Sequence, residues 1–163
     1  MSHWSIGIDI TDIKRFREYP LSRHSRFYDR VFNEYEFRYC TDHSDPYPHF
    51  AGIFAAKEAV FKAVGKFFPL SLFQISIHHD EKGRPTVWLE KNDKIPQLEN
   101  KSQKNFENLV VQVSITHSSA LAMAWALAFL KTSQNDTLEG LDRLKGELQR
   151  EICNEFVEHR CTS

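Results

Sequence analysis

With 163 residues, 41% of them apolar and 13% aromatic, the chain has material for one sizeable core but is short for two. Its 21 basic and 22 acidic side chains leave a formal charge of -1, which excludes the broad basic field by which a whole domain attracts nucleic acid. The three cysteines, Cys40, Cys153 and Cys161, form no CxxC pair, so neither a disulfide framework nor a structural zinc is expected, and a reducing cytoplasm fits best.

The start, Met1-Ser2-His3-Trp4, has no basic stretch leading into an apolar run, so no secretory signal is expected. From Trp4 to Ile10 the residues alternate, with Trp4, Ile6, Ile8 and Ile10 on one face and Ser5, Gly7 and Asp9 on the other. That is the period of a strand, and it turns Asp9 away from the greasy face. Thr11-Asp12 suits a helix start, and the charged segment Ile13 to Tyr19 stops at Pro20, which predicts a short helix. A second helix is expected to begin near Asn33.

The run from Phe50 to Lys66 carries Phe54, Phe61 and Val64 at helical spacings among several alanines, the strongest helix signal in the chain. Phe73, Ile75 and Ile77 then alternate with polar residues, and Asp80 to Pro85 separates them from Thr86 to Leu89, which predicts a hairpin. The polar stretch Glu90 to Lys104 has no clear period and reads as an inserted loop. Val111, Val113 and Ile115 restore the alternation, and His117-Ser118-Ser119 can turn the chain. Between Ala120 and Leu130 large and small residues alternate strictly. Alanine content alone favours a helix there, but the alternation favours a strand whose alanine face lets another element come close. The same run is too short to cross a bilayer as a helix, and no membrane anchor is evident. After Lys131, Asp136 and Glu139 form a capping box ahead of a stripe of Leu141, Leu144, Leu148, Ile152 and Phe156, so a C-terminal amphipathic helix is expected. The chain is therefore read as α+β, with residues 1–130 as the main domain and 131–163 as a linker and helical extension.

Glu58 and Lys62 are four apart and share one helix face, where a solvated ion pair is the commonplace reading. Asp9 changes that weighing. A carboxylate after Gly7 on a polar strand face can sit where a ligand comes close, and two carboxylates with a lysine suit magnesium and a pyrophosphate.

GIDITDIKRF at 7–16, FAGIFAAKEAVFKAVG at 50–65 and VSITHSSALA at 113–122, in this order and spacing, resemble the three motifs of holo-acyl-carrier-protein synthases. The resemblance spans roughly the first four-fifths of the chain. It implies the 4'-phosphopantetheinyl transferase fold, an antiparallel sheet packed on a long helix. It also implies transfer of 4'-phosphopantetheine from coenzyme A to a serine of an acyl carrier protein, releasing adenosine 3',5'-bisphosphate. By the same resemblance Asp9 and Glu58 hold Mg2+, Lys62 contacts phosphate, and His117 with Ser114 nearby binds the phosphate region of coenzyme A. None of the other seven histidines is given a role.

Lys14, Arg15, Arg17, Arg23, Arg26 and Arg30 outnumber Asp12, Glu18 and Asp29 in one segment. Acyl carrier proteins are acidic, so the resemblance makes this the docking surface, with Lys14, Arg15 and Arg26 as its contacts and Arg15 at the family's usual arginine. Members of the family are usually homotrimers with active sites between subunits, so the resemblance implies a homotrimer here, and neither nucleic acid nor membrane is expected as a partner. Ile53 stands where the family has arginine, which removes one expected basic contact with coenzyme A. Two rivals remain: a catalytically silent module that binds acyl carrier protein, and a magnesium enzyme acting on a nucleotide pyrophosphate without a protein acceptor.

Overall fold

The computed structural model describes residues 3–19, 21, 25–90 and 108–131. The chain divides into two compact units, Met1–Leu130 and Lys131–Ser163, and every element below belongs to the first. The expected C-terminal helix and most of the expected loop after Glu90 lie outside the described residues.

Strand β1 (Trp4–Asp12) leads into helix α1 (Ile13–Glu18), which opens where the Asp12 carboxylate accepts the Lys14 N–H at 2.9 Å. Helix α2 (Ser25–Val31) is an element the sequence reading did not assign. Helix α3 (Glu34–Thr41) begins at Asn33 as expected, with a capping box in which Asn33 and Glu36 satisfy each other's backbone N–H groups at 2.8 and 2.9 Å. Helix α4 (Tyr47–Val64) starts three residues before Phe50, because Pro46 and Pro48 can occupy a helix's opening positions without losing a hydrogen bond. Strands β2 (Ile75–His79) and β3 (Pro85–Leu89) form the expected hairpin, and β4 (Leu109–His117) and β5 (Leu121–Leu130) complete the fold.

β1, β5 and β4 make a three-stranded antiparallel sheet in that order, and β2 and β3 make a second, two-stranded sheet. α4 lies across the larger sheet. Ala122, Ala124, Ala126 and Ala128 of β5 are all buried, while the large residues Leu121, Met123 and Trp125 between them are exposed. The alanine face does what its sequence suggested: it lets the helix backbone approach the sheet. Gly7 carries this furthest, since a Cβ there would lie 1.9 Å from the Ala59 carbonyl oxygen and 2.8 Å from the Ala63 nitrogen. The close neighbour that requires this glycine is thus α4 itself, where the sequence had suggested a ligand.

Two expectations about faces change accordingly. Phe61 of α4 is exposed and Phe54 only half-buried, while the alanines of α4 and Phe50, Ile53, Val60 and Val64 are buried, so the helix is enclosed on most sides. The greasy face of β1 is the outward one: Trp4, Ile6, Ile8 and Ile10 are 41%, 45%, 54% and 59% exposed. With Leu121, Met123 and Trp125, their neighbours on β5, they form a continuous exposed apolar surface on the sheet.

Among the described residues the core holds one buried ion pair. Lys57 Nζ lies 2.6 Å from Glu36 Oε2, with side chains only 2% and 0% exposed, and Glu36 Oε1 also accepts the Ile77 N–H at 2.8 Å. Glu36 thereby ties α3 to α4 and β2. Burial pulls the Lys57 ammonium's pKa down and the Glu36 charge opposes that pull. Lys57→Met is expected to cost about 3–5 kcal/mol, because it leaves an uncompensated buried carboxylate, and adding Glu36→Gln should recover part of it. Urea unfolding of both variants checks this; a single variant within about 1 kcal/mol of wild type would contradict it.

Candidate active site: two clusters on opposite flanks of one helix

Asp9 leaves β1 on the side that faces α4, in the row Asp9–Ala124–Ile115 across the sheet. Thr11, next on that face, donates its hydroxyl to Asp9 Oδ2 at 3.1 Å. From α4, Lys62 Nζ donates to Asp9 Oδ1 at 2.8 Å and to the Ile8 carbonyl at 2.9 Å. Lys62 is half exposed and Asp9 mostly covered, so the pair is open to solvent from one side.

Glu58 sits one helical turn before Lys62. Burial first, and the negative charge of Asp9 second, push its carboxyl above the usual carboxylate range, while Lys62 opposes them. Asp9 and Glu58 are therefore close enough to repel, with one ammonium against two carboxylates. Among the described residues no three histidine, cysteine or acidic side chains come together as metal ligands. The donor set is thus two carboxylates, which is what magnesium commonly takes from a protein when water and phosphate oxygens fill its other positions. The residues fit that ion.

His117, the last residue of β4, is not part of this cluster. It faces the helix side in the row Thr11–Ala122–His117, two strand spacings or roughly 10 Å across the sheet from β1. Its neighbour is His49 of α4, with ring centroids 6.0 Å apart. His49 and Glu58 are nine positions apart, about half a turn around the helix and roughly 13 Å along it. A Cβ on Gly52 would meet Ile115 of β4 at 3.1 Å, whereas Ala59 and Ala63 meet β1, so α4 crosses the sheet from one edge to the other. Asp9, Glu58 and Lys62 line one flank of α4, and His49 and His117 line the other. Ser114 pairs with Trp125, and through it with Ile8, so it lies on the sheet's outward face.

The basic segment lies on exposed α1 and α2, where Lys14, Arg15 and Arg26 all meet solvent. Lys14 pairs loosely with Glu18 at 3.5 Å, and Arg17 is held by Asp45 at 2.6 Å. Arg15 stands at the rim of an apolar pocket of about 340 Å³ lined by Phe16, Tyr19, Phe27 and Phe54. The sequence reading included the arginine but not that pocket, whose aromatic rings come from α1 and the residue that ends it, from α2 and from α4.

Compared with known proteins, residues 5–126 match the 4'-phosphopantetheinyl transferase superfamily. A holo-[acyl-carrier-protein] synthase of Clostridium kluyveri is 35% identical over 125 residues, covering 76% of this chain and 88% of that protein. Among solved structures, the ACPS–CoA complex of Chronobacterium ammoniagenes is similar with TM-score 0.62 and 28% identity, over 78% of this chain and 98% of that one. The Helicobacter pylori holo-[acyl-carrier-protein] synthase in complex with coenzyme A has TM-score 0.57 and 27% identity, over 77% and 99%. The chain belongs to the 4'-phosphopantetheinyl transferase superfamily, and within it to the holo-[acyl-carrier-protein] synthases.

Proposed function

We infer that this chain transfers 4'-phosphopantetheine from coenzyme A to a serine of an apo acyl carrier protein, with Mg2+ held by Asp9 and Glu58. The observation that carries the reading is the convergence of Asp9, Glu58 and Lys62 from β1 and α4. Held by Asp9 and Glu58, Mg2+ would supply positive charge to the pyrophosphate and to the departing bisphosphate. Thr11 holds one Asp9 oxygen, Lys62 positions the other and presents its ammonium to phosphate, and Glu58 adds the second carboxylate. The serine oxygen forms the new P–O bond as the pyrophosphate bridge breaks, so positioning and electrostatics supply most of the rate.

The outward apolar face supports a homotrimer that buries it, and the placement of His117 supports an active site shared between neighbouring copies. Asp9 and Glu58 of one copy then act on the pyrophosphate while His117 of the next contacts phosphate. Mixing Glu58→Ala with His117→Ala, each inactive alone, is expected to restore part of the activity through mixed trimers, read as holo-carrier formation. A mixture as inactive as its components would contradict shared sites. Mass-action burial of Trp4, Ile8 and Trp125 also predicts a trimer in analytical ultracentrifugation.

Acyl carrier protein docks on α1 and α2, where Arg15 adds charge to an apolar pocket. Arg15→Glu is expected to slow carrier association about tenfold at low salt and much less at high salt, as screening removes the steering. Stopped-flow association rates across a salt series check this, and a salt-independent defect would contradict it. Among the described residues no helix is long and apolar enough to cross a membrane. We place the reaction in the cytoplasm, where reduced thiols and coenzyme A occur together.

A further inference from the structure

The sequence reads Thr11 as part of a helix start, but the residue that caps α1 is Asp12, and Thr11 remains in β1. Its hydroxyl therefore takes no part in capping, and the two-residue period of the strand sets it on the face of Asp9, toward α4. There Thr11 is 3% exposed and pairs across the sheet with the buried Ala122, which offers no side-chain acceptor. Among the described residues the hydroxyl's one hydrogen bond is the one it donates to Asp9 Oδ2, at 3.1 Å.

The two oxygens of Asp9 are thus held by groups of different kinds. Lys62 donates to Oδ1 at 2.8 Å, but its side chain is half exposed, reaches in from α4 and presents the same ammonium to phosphate in the reading above. A long lysine chain changes partner by rotating, whereas a buried β-branched threonine on a paired strand has little such freedom. Glu58 and Asp9 repel each other across the site, so an unheld Asp9 carboxylate would turn about its last, soft torsion. The Thr11 hydroxyl resists that turn whichever partner Lys62 takes.

Holding one oxygen also limits how Asp9 can meet an ion. Magnesium demands a small, near-ideal octahedron, whose right-angled corners a chelating carboxylate cannot span. Calcium takes more oxygens at longer range and readily accepts both from one carboxylate. We propose that Thr11 is a positioning residue that selects the ion: by donating to Asp9 Oδ2 it presents Asp9 as a one-oxygen ligand, which favours magnesium over calcium. The inference rests on Asp9 and Glu58 holding Mg2+, and Thr11 itself is not counted among the ligands.

Thr11→Val keeps the side chain's shape and strand preference and removes the donor, while Thr11→Ser keeps the donor. Competition of each ion against Mn2+, followed by electron paramagnetic resonance with coenzyme A present and carrier protein absent, gives the affinities without turnover. Thr11→Val is expected to weaken magnesium about tenfold and calcium less than about threefold, so that preference shifts toward calcium. Thr11→Ser is expected to return the ratio to within about twofold of wild type. With apo carrier added, half-saturating magnesium should rise about tenfold in Thr11→Val, while kcat at saturating magnesium falls by less than about threefold.

Equal weakening of both ions, or no rescue by serine, would show a packing role and overturn the inference. So would an unchanged magnesium affinity in Thr11→Val. Far-UV circular dichroism checks the fold of both variants. The wild type gives a reading that needs no variant: the Thr11 hydroxyl proton is expected to stay protected from exchange in NMR spectra with and without magnesium. Its release on adding magnesium would overturn the inference. In each of these contrary cases Asp9→Ala still loses transfer, so the metal reading stands. A wild type that binds neither magnesium nor Mn2+ with coenzyme A present would overturn both.

Discussion

Asp9→Ala and Glu58→Ala are each expected to lower magnesium-dependent transfer by about a thousandfold, or about 4 kcal/mol of transition-state stabilisation. Each removes one of the two carboxylates proposed to hold Mg2+, and among the described residues no group of three histidine, cysteine or acidic side chains offers a substitute. Stability should move separately from activity. Glu58 is held in an unfavourable position by burial and by Asp9, so removing it should leave the melting temperature unchanged or slightly raised. Asp9→Ala loses a partly exposed ion pair with Lys62, which costs at most about 1 kcal/mol. Initial rates at saturating magnesium, paired with thermal unfolding, test this. Wild-type turnover in either variant would remove the metal assignment.

Gly7→Ala is expected to be the most damaging small substitution. Its methyl group would lie 1.9 Å from the Ala59 carbonyl oxygen, and backbone atoms cannot rotate away as a side chain can. β1 and α4 must separate, at a cost of about 3 kcal/mol, and the separation pulls Asp9 from Glu58 and Lys62, so transfer should fall along with stability. Gly52→Ala is the comparison, because there the added methyl meets only the Ile115 side chain, at 3.1 Å. Urea midpoints for both variants decide the matter; a Gly7→Ala protein as stable as wild type would show that the β1–α4 contact is looser than described.

These two substitutions also mark what the sequence made legible. Asp9, Glu58 and Lys62 were readable because strand and helix periods place each on a defined face, and the three motifs named the pairing. The alternation in β5 likewise announced a close-packed alanine face. Periodicity separates two faces but does not say which one meets the core, so the exposure of Trp4, Ile6, Ile8 and Ile10 was not readable from β1 alone. α2 was missed although Tyr28, Val31 and Phe32 stand at i, i+3 and i+4, because the segment was read for its arginines as a charged surface. The approach of His49 to His117 had no local signal: the two share no spacing, and only the crossing of α4 over the sheet brings them together. The same crossing separates His117 from Asp9, which the motif order could not reveal.

The central claim is tested most directly by incubating the protein with coenzyme A, magnesium and an apo acyl carrier protein, and measuring the carrier's intact mass with and without chelator. The account predicts a phosphopantetheine adduct that forms with magnesium and disappears with chelator. A carrier that binds the protein but keeps its apo mass, across several apo carriers, would contradict it and make this chain a carrier-binding module without transfer.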